Sequence, residues 1–255
     1  MSIPKSSQRL SQTEIYNRLR EVGTQWLKKH VLFADRQMIV VQKPPNLVCQ
    51  VDGSLQTEKL APGSYSLNPV FKDVGFHSQN HAMLIVSTRQ AIYYNTSIPT
   101  TGCLVIPLNS VVAREISIQI KQKTFQKTYL ALVRGGEKSF DTKSGRLQDR
   151  LLYTDGRGSV HESGTEAITD WELLSSSKKA PVSLLMFKLI TGKKHQLRLH
   201  ASKVLKAPIL GDGVYSLSNV SQSILDVTTV PENRLFLHAH EVSLFVRASI
   251  YLGGQ

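Results

Sequence analysis

The sequence predicts an α+β protein in which strands outnumber helices. Alternating or continuous apolar residues predict a hairpin over residues 31–48 and strands at 127–135, 164–171, 182–189 and 234–244. Apolar residues at helical spacing predict helices at 110–125 and 196–205. Pro208 ends the second helix, because its ring and its missing N–H do not fit a helix interior. Residues 137–157 predict a polar connection with one short strand at 150–153, and residues 216–232 predict a polar surface excursion.

Composition limits the classes of function. The chain has 255 residues, of which 41% are hydrophobic and 20% charged, as is typical of a globular protein. No apolar run approaches the ~20 residues of a membrane span, so we expect no membrane-embedded part. The formal net charge of +12 favours a polyanionic partner. Cys49 and Cys103 are too few for a disulfide framework and indicate a reducing compartment.

Positive charge is concentrated where the strand at 182–189 meets the helix at 196–205. Between Glu172 and Asp212 the sequence has no acidic residue, whereas Lys and Arg recur throughout. The junction itself contains Gly192, Lys193, Lys194, His195, Gln196 and Arg198. Uncompensated positive charge at the start of a helix favours anions, and above all phosphate. The alternative is a solvated basic helix face, but such a face spreads its charges along the helix instead of gathering them at a glycine turn.

This stretch resembles the last main motif of the RluA-type pseudouridine synthases. The motif has the form T-G-R-x-H-Q-I-R-x-H, followed by P-I-x-G-D-x-x-Y, and the chain has TGKKHQLRLH at 191–200 and PILGDGVY at 208–215. Lys193 stands where the family has Arg, which keeps the charge but loses the bidentate geometry. Five further segments resemble the family: KPPNL at 43–47, IPTTGCLVI at 98–106, KTYLALVRG at 127–135, GTEAITDW at 164–171 and RLFLHA at 234–239.

The resemblance implies a central, mostly antiparallel sheet flanked by helices. It also implies the isomerisation of uridine to pseudouridine in structured RNA, with rRNA the expected substrate and with no cofactor or metal. By the resemblance, Arg198 pairs with the catalytic carboxylate and Tyr129 stacks on the target base; the alternative for Tyr129 is a packed strand aromatic. The RNA-binding residues that it implies are Lys43, Lys193, Lys194, His195, Gln196 and Leu197.

The chain departs from the family at the catalytic aspartate. The family has H-R-L-D-x-x-T-S-G, and alignment on the TTG at 100–102 places the aspartate on Ser97, with YNT at 94–96 in place of H-R-L. A serine hydroxyl is essentially un-ionised at neutral pH, and no adjacent residue in the sequence offers a base to activate it. We therefore expect weak or absent activity from the chain as written, with Arg198 left without its acidic partner.

Three interpretations of this departure remain. The segment 77–97 is a translated intron or a shifted exon boundary, because the family pattern is lost abruptly before Ile98 and resumes after it. Alternatively, the protein is an RNA-binding assembly factor that kept the cleft and lost the chemistry. The third interpretation is a basic interaction module without a role in RNA binding.

We divide the chain into a basic helical extension at 1–30 and a pseudouridine synthase-like domain at 31–255. Apolar residues recur at helical spacing from Ile15 to Trp26, which predicts a docking helix. The basic, acid-poor N-terminus favours a mitochondrial location over a cytoplasmic one. We expect a monomer. His238 and His240 alternate onto one strand face, but no third or fourth ligand accompanies them, so no zinc site is predicted.

Overall fold

The structure is a computed structural model that describes residues 30–34, 37–45, 47–48, 65–66, 100–107, 110–154, 156–216, 219–231 and 234–245. The predicted N-terminal helix lies outside these residues. So does the segment 77–97, which contains Ser97.

A nine-stranded sheet forms the centre of the described part of the chain. The described strands are β1 Val31–Ala34, β2 Met38–Lys43, β3 Leu47–Val48, β4 Tyr65–Ser66, β5 Thr101–Pro107, β6 Gln126–Arg134, β7 Ser144–Thr154, β8 Arg157–Val160, β9 Thr165–Ser176, β10 Val182–Leu189 and β11 Leu237–Ser243. Their order in the large sheet is β1-β2-β5-β11-β6-β10-β9-β7-β8. Within the large sheet the described pairs are antiparallel except β11 with β5. Strands β3 and β4 form a separate parallel pair. The predicted α+β class with a mostly antiparallel central sheet is confirmed.

The main core lies on the face of the sheet where β6, β10 and β9 run side by side. Phe187 of β10 is paired with Tyr129 of β6 on one side and with Trp171 of β9 on the other. All three side chains are buried, and the alternation of side chains along each strand puts them on one face. Leu197, from the helix that follows β10, packs into the same cluster. The basic junction is therefore joined directly to this buried cluster through Leu197.

Helix α1 spans Ser110–Lys121 and is amphipathic, as its apolar spacing predicts. Val112 and Ile116 are buried and pack with Phe125, which lies beyond the helix end. The prediction that the helix continues to residue 125 was wrong. Lys123 adopts φ 60°, which breaks the helix and lets Phe125 fold back onto the buried stripe of α1.

The second predicted helix, at 196–205, is present as two short segments. Helix α2 spans Gln196–Leu199 and continues as a π-helix over His200–Val204. Lys206 then takes φ 56° two residues before Pro208 and ends the helical run. A third short helix, α3 at Gln222–Leu225, lies in the predicted polar excursion and buries Ile224.

The β7–β8 hairpin is the largest difference from the sequence prediction. The polar stretch 137–157 predicts only a short strand at 150–153, whereas β7 runs for 11 residues and β8 returns beside it. The prediction failed because β7 is polar at most positions and exposes most of its side chains. Only Leu147 and Leu151 are buried, so the apolar signal of the strand is sparse.

Candidate active site

The basic junction after β10 is a tight turn held to strand β9. Ile190 and Thr191 both donate their N–H groups to the carbonyl of Ile168, at 3.2 Å each. The turn ends at His195, whose backbone is left-handed with φ 51° and ψ 22°. A left-handed conformation is unusual for a residue with a side chain, so the surrounding contacts must hold it in place.

Gln196 supplies most of these contacts through its side-chain amide. Its Oε1 accepts hydrogen bonds from Thr191 Oγ1 and from Lys193 N, both at 2.9 Å. Its Nε2 donates to the Ile168 carbonyl at 3.0 Å and to Thr169 Oγ1 at 2.8 Å. Gln196 is 2% exposed, so this amide is used within the protein to shape the turn. Leu197 is likewise buried in the core; direct RNA contacts by Gln196 and Leu197 stay predictions.

The charged side chains of the turn are accessible, in contrast to Gln196. Lys194 is exposed and Lys193 is half-buried, so both ammonium groups lie at the surface that the sequence predicted for RNA. His195 is half-buried, with Nδ1 at 2.9 Å from the Tyr215 hydroxyl. Burial lowers the pKa of His195 to about 4, and the positive charges of Arg198 and Lys194 act in the same direction. His195 is therefore neutral at physiological pH, and the turn owes its charge to the two lysines.

Arg198 forms a buried, two-pronged ion pair with Asp212. The guanidinium Nε donates to Oδ2 at 2.8 Å and Nη2 donates to Oδ1 at 2.6 Å, with side chains that are 7% and 0% exposed. The Arg198 guanidinium also lies over the Tyr215 ring, 5.1 Å from its centroid. The expectation that Arg198 lacks an acidic partner was therefore wrong. The available signal was that Asp212 is the first acidic residue after the basic stretch and belongs to the G-D-x-x-Y part of the motif.

The Asp212 carboxylate is fully engaged by the protein. Beyond the two bonds from Arg198, Oδ1 accepts the backbone N–H groups of Val214 and Tyr215, at 3.0 Å each. Burial alone raises the pKa of Asp212, but the Arg198 hydrogen bonds and charge, together with these two amides, lower it below its usual value. With its oxygens taken up in this way, Asp212 orders the 211–215 turn.

Tyr129 and Lys43, predicted to contact RNA, lie mostly inside the protein. Tyr129 is 3% exposed in the cluster that contains Leu197, and its stacking on a base stays a prediction. Lys43 is 1% exposed, and its Nζ donates to the carbonyl of Thr100 at 2.7 Å and to that of Pro44 at 3.2 Å. Lys43 thus holds the chain at the start of β5, three residues after Ser97. Its contact with RNA stays a prediction.

His200 extends the network and was not singled out by the sequence. It is 0% exposed, and its Nδ1 lies 2.9 Å from Thr169 Oγ1, the hydroxyl that accepts from Gln196. Burial lowers the pKa of His200 to about 4, so the ring is neutral. The direction of this hydrogen bond follows the tautomer of the ring, because a hydroxyl can both donate and accept. The other ring nitrogen, Nε2, has no hydrogen-bond partner among the described residues.

The described residues contain no group of three or more His, Cys, Asp or Glu side chains that could hold a metal ion. In the same part of the chain, none of the helices has the length and apolar character needed to cross a membrane.

Comparison with known proteins identifies related sequences and folds. A family model described as RNA pseudouridylate synthase matches residues 98–203. An uncharacterised RNA pseudouridine synthase of Zymomonas mobilis is 27% identical over 223 residues, which cover 86% of this chain and 88% of that protein. The tRNA pseudouridine synthase C of Pasteurella multocida is 35% identical over 160 residues, which cover 56% of this chain and 62% of that protein. The structure of human RNA pseudouridylate synthase domain containing 4 superposes with a TM-score of 0.63 at 22% identity, covering 89% of this chain and 88% of that one.

The buried ion pair generates a stability prediction. We expect Asp212→Asn to lower the free energy of unfolding by about 3–5 kcal/mol, because it leaves the buried Arg198 guanidinium without its counter-charge. Chemical denaturation with urea measures the change. Because the pKa of Asp212 is lowered on folding, its contribution is present above the unfolded pKa and is lost as the pH falls through the folded one.

Asp170→Asn is the matched control for this prediction. Asp170 forms the same two-pronged pair with Arg146, at 2.6 and 2.9 Å, but on the surface, where the Arg146 side chain is 58% exposed. An exposed pair contributes up to about 1 kcal/mol, so the control should lose far less stability. Equal losses in the two variants would contradict the assignment of Arg198 and Asp212 as a buried pair.

The buried histidines generate a pH prediction. His195 and His200 have folded pKa values of about 4, below the ordinary value of about 6.5, so the unfolded chain binds protons more readily. Stability should therefore be fully present above pH ~6.5 and decline as the pH falls toward 4. Urea unfolding at a series of pH values measures the decline, and His200→Asn should make it shallower. An unchanged pH dependence in that variant would show that His200 is not buried in its neutral form.

Proposed function

We propose that this chain is a member of the RNA pseudouridine synthase family, which it resembles, and that it binds structured RNA and isomerises a uridine in it to pseudouridine. The observation that supports this most directly is the convergence of the motif residues in space. His195, Arg198, Asp212 and Tyr215 are spread over 21 residues of sequence but form one connected set of contacts beside two accessible lysines.

The basic turn is the part of the site that we assign to the RNA backbone. Lys193 and Lys194 place two ammonium groups on a turn whose shape is fixed from below by Gln196. Because Asp212 neutralises Arg198 and His195 is uncharged, the lysines are the charges of the turn that remain for phosphate. Phosphate contacts fix the register of an RNA without reading its sequence, which suits a protein that must hold a folded substrate.

The chemistry is an isomerisation in which atoms are conserved. The bond between N1 of the uracil and C1′ of the ribose breaks, the base turns, and C5 bonds to C1′; the proton on C5 is lost and N1 takes up a proton. The uridine must first leave its stack, which costs a few kcal/mol, and an aromatic such as Tyr129 can replace part of the lost stacking. A carboxylate at the sugar is required, as nucleophile or base.

Ser97 favours a second candidate function, that of a catalytically inactive RNA-binding assembly factor. Loss of a positioned acid–base group removes about 10²–10⁴ in rate, and Asp212 is too fully engaged to replace it. The two candidates share the RNA-binding turn and differ in whether the protein performs the isomerisation. An rRNA substrate and a mitochondrial location stay predictions.

Binding to RNA should depend steeply on salt. We expect the wild-type chain to bind a uridine-containing stem–loop RNA with a log affinity that falls linearly with log salt concentration, since lysines displace counterions from phosphates. Lys194→Glu should weaken binding and flatten the slope by about 1. Fluorescence anisotropy at a series of salt concentrations measures both.

Lys138→Glu makes the same change of charge at a distance. Lys138 is exposed on the short 3₁₀-helix Glu137–Ser139, which follows β6 at the end of the sheet opposite the turn. The Lys138→Glu variant should leave the slope of log affinity against log salt concentration nearly unchanged. RNA binding that does not depend on salt, or equal effects of the two variants, would contradict the assignment of the turn as the RNA-binding surface. Arg198 is unsuitable for this test, because replacing a buried ion-pair partner disturbs folding.

Position 97 should decide between the two candidate functions. The spacing of Ser97 to the turn at 100–102 matches that of the family aspartate, so Ser97→Asp restores a carboxylate at the required place in the sequence. We expect Ser97→Asp to release tritium from C5-labelled uridine in RNA, and Ser97→Ala to release none. Recovery should be partial, because Asn95 still replaces an arginine of the family pattern.

If Ser97→Asp folds, binds RNA and remains as inactive as Ser97→Ala, the isomerase assignment fails and the assembly-factor assignment stands. Tritium release by the wild-type chain would instead support the isomerase assignment and contradict the assembly-factor assignment, since it would show that a group other than an aspartate at position 97 performs the chemistry.

A further inference from the structure

The tip of the β7–β8 hairpin reaches from the edge of the sheet to the basic turn. Strand β7 is paired with β9 only as far as Leu151, opposite Thr165. Beyond this point Tyr153 and Thr154 pair only with Gly158 and Arg157 of β8. The tip therefore projects past the body of the sheet, and its position depends on what it touches.

Three contacts join this tip to the turn and to helix α2. The Tyr153 hydroxyl donates a hydrogen bond to the carbonyl of Lys194. The N–H of Gly158 donates to the Tyr215 hydroxyl at 3.1 Å, and that hydroxyl is the partner of His195 Nδ1. Gly158 also lies so close to Leu199 that a Cβ at this position would be 2.5 Å from Leu199 Cδ1.

The hydrogen bond from Tyr153 is accepted by the peptide group between Lys194 and His195. The Lys194 carbonyl belongs to the peptide that joins the exposed cation to left-handed His195. Gln196 holds the preceding part of the turn through Lys193 N, but none of the four hydrogen bonds of its side-chain amide reaches the Lys194 carbonyl. Tyr153 therefore fixes the orientation of a peptide plane that the Gln196 amide leaves unattached, and with it the direction in which the Lys194 side chain departs.

The environment keeps Tyr153 in its donor form. Its ring packs against the small core cluster of Leu151, Ala167, Leu199 and Tyr215. Burial, with a contribution from Tyr215, raises the pKa of the Tyr153 hydroxyl above its ordinary value, so the proton is retained at any physiological pH. The hydroxyl is thus a permanent hydrogen-bond donor to the turn.

We propose that Tyr153 is a positioning residue for RNA binding, through which the β7–β8 hairpin sets the conformation of the basic turn and directs Lys194 toward phosphate. This inference rests on the proposed RNA binding by that turn. It gives the hairpin, which carries none of the family motif residues, a role in holding the substrate.

The test compares Tyr153→Phe with the wild-type full chain. Phe keeps the ring and its packing and removes only the hydroxyl. Loss of one hydrogen bond that orients a phosphate contact should weaken binding of the stem–loop RNA by about three- to tenfold. In the Lys194→Ala background the same change should have less than a twofold effect, because the residue through which Tyr153 acts is gone.

Leu152→Ala is the matched control. Leu152 lies next to Tyr153 on β7, but the alternation of the strand points it to the opposite face. Its truncation removes packing from the hairpin without touching the turn. RNA affinity should stay within about twofold of wild type even where the melting temperature falls.

Hydrogen exchange without RNA tests the positioning claim separately. The N–H of Lys193 is bonded to Gln196 Oε1 at 2.9 Å and that of Gln196 to the Lys193 carbonyl at 3.1 Å. In Tyr153→Phe these amides should exchange faster, and in Leu152→Ala they should not. Unchanged exchange, or an affinity loss that persists in the Lys194→Ala background, would overturn the role of Tyr153. A wild-type chain that shows no salt-dependent RNA binding would instead overturn the proposed function, and this inference with it.

Discussion

The buried pair of Arg198 and Asp212 is the interaction on which the rest of the candidate site depends. Two buried charges are tolerated only if they are paired and hydrogen-bonded to each other, and here two nitrogens of the guanidinium donate to the two oxygens of the carboxylate. The same carboxylate binds the amides of Val214 and Tyr215, so a single group joins α2 to the turn that follows it. Tyr215, placed in this way, is then available to both His195 and the β7–β8 hairpin.

This arrangement separates structural charge from functional charge. Arg198 is neutralised inside the protein, and His195 is kept neutral by burial and by its cationic neighbours. The polar groups beneath the turn form hydrogen bonds with one another, as the four hydrogen bonds of the Gln196 side-chain amide illustrate. The lysines of the turn are left at the surface, where mobile ammonium groups can follow an irregular RNA backbone without a fixed geometry.

Much of the fold followed from local patterns in the sequence, but the partners within the site did not. The strands at 127–135 and 182–189 were predictable because their apolar alternation reflects burial on a sheet face. The pairing of Arg198 with Asp212 was missed, since it joins residues across a turn that no periodicity describes. The end of α1 was missed because a left-handed lysine is not visible in a helical pattern. Strand β7 was missed because few of its side chains are buried.

Strand β11 has a consequence for how the chain folds. It is the last described strand, yet it lies in the middle of the sheet, between β5 and β6. Its parallel pairing with β5 joins residues 137 positions apart, as the bond between Thr101 and His238 shows. During synthesis the β1-β2-β5 unit and the β6-β10-β9-β7-β8 unit must therefore wait, each with an open edge, until the ribosome has released residues 237–243. Such high contact order makes folding slow and exposes the nascent chain to aggregation, so this protein should rely on chaperones more than its size alone suggests.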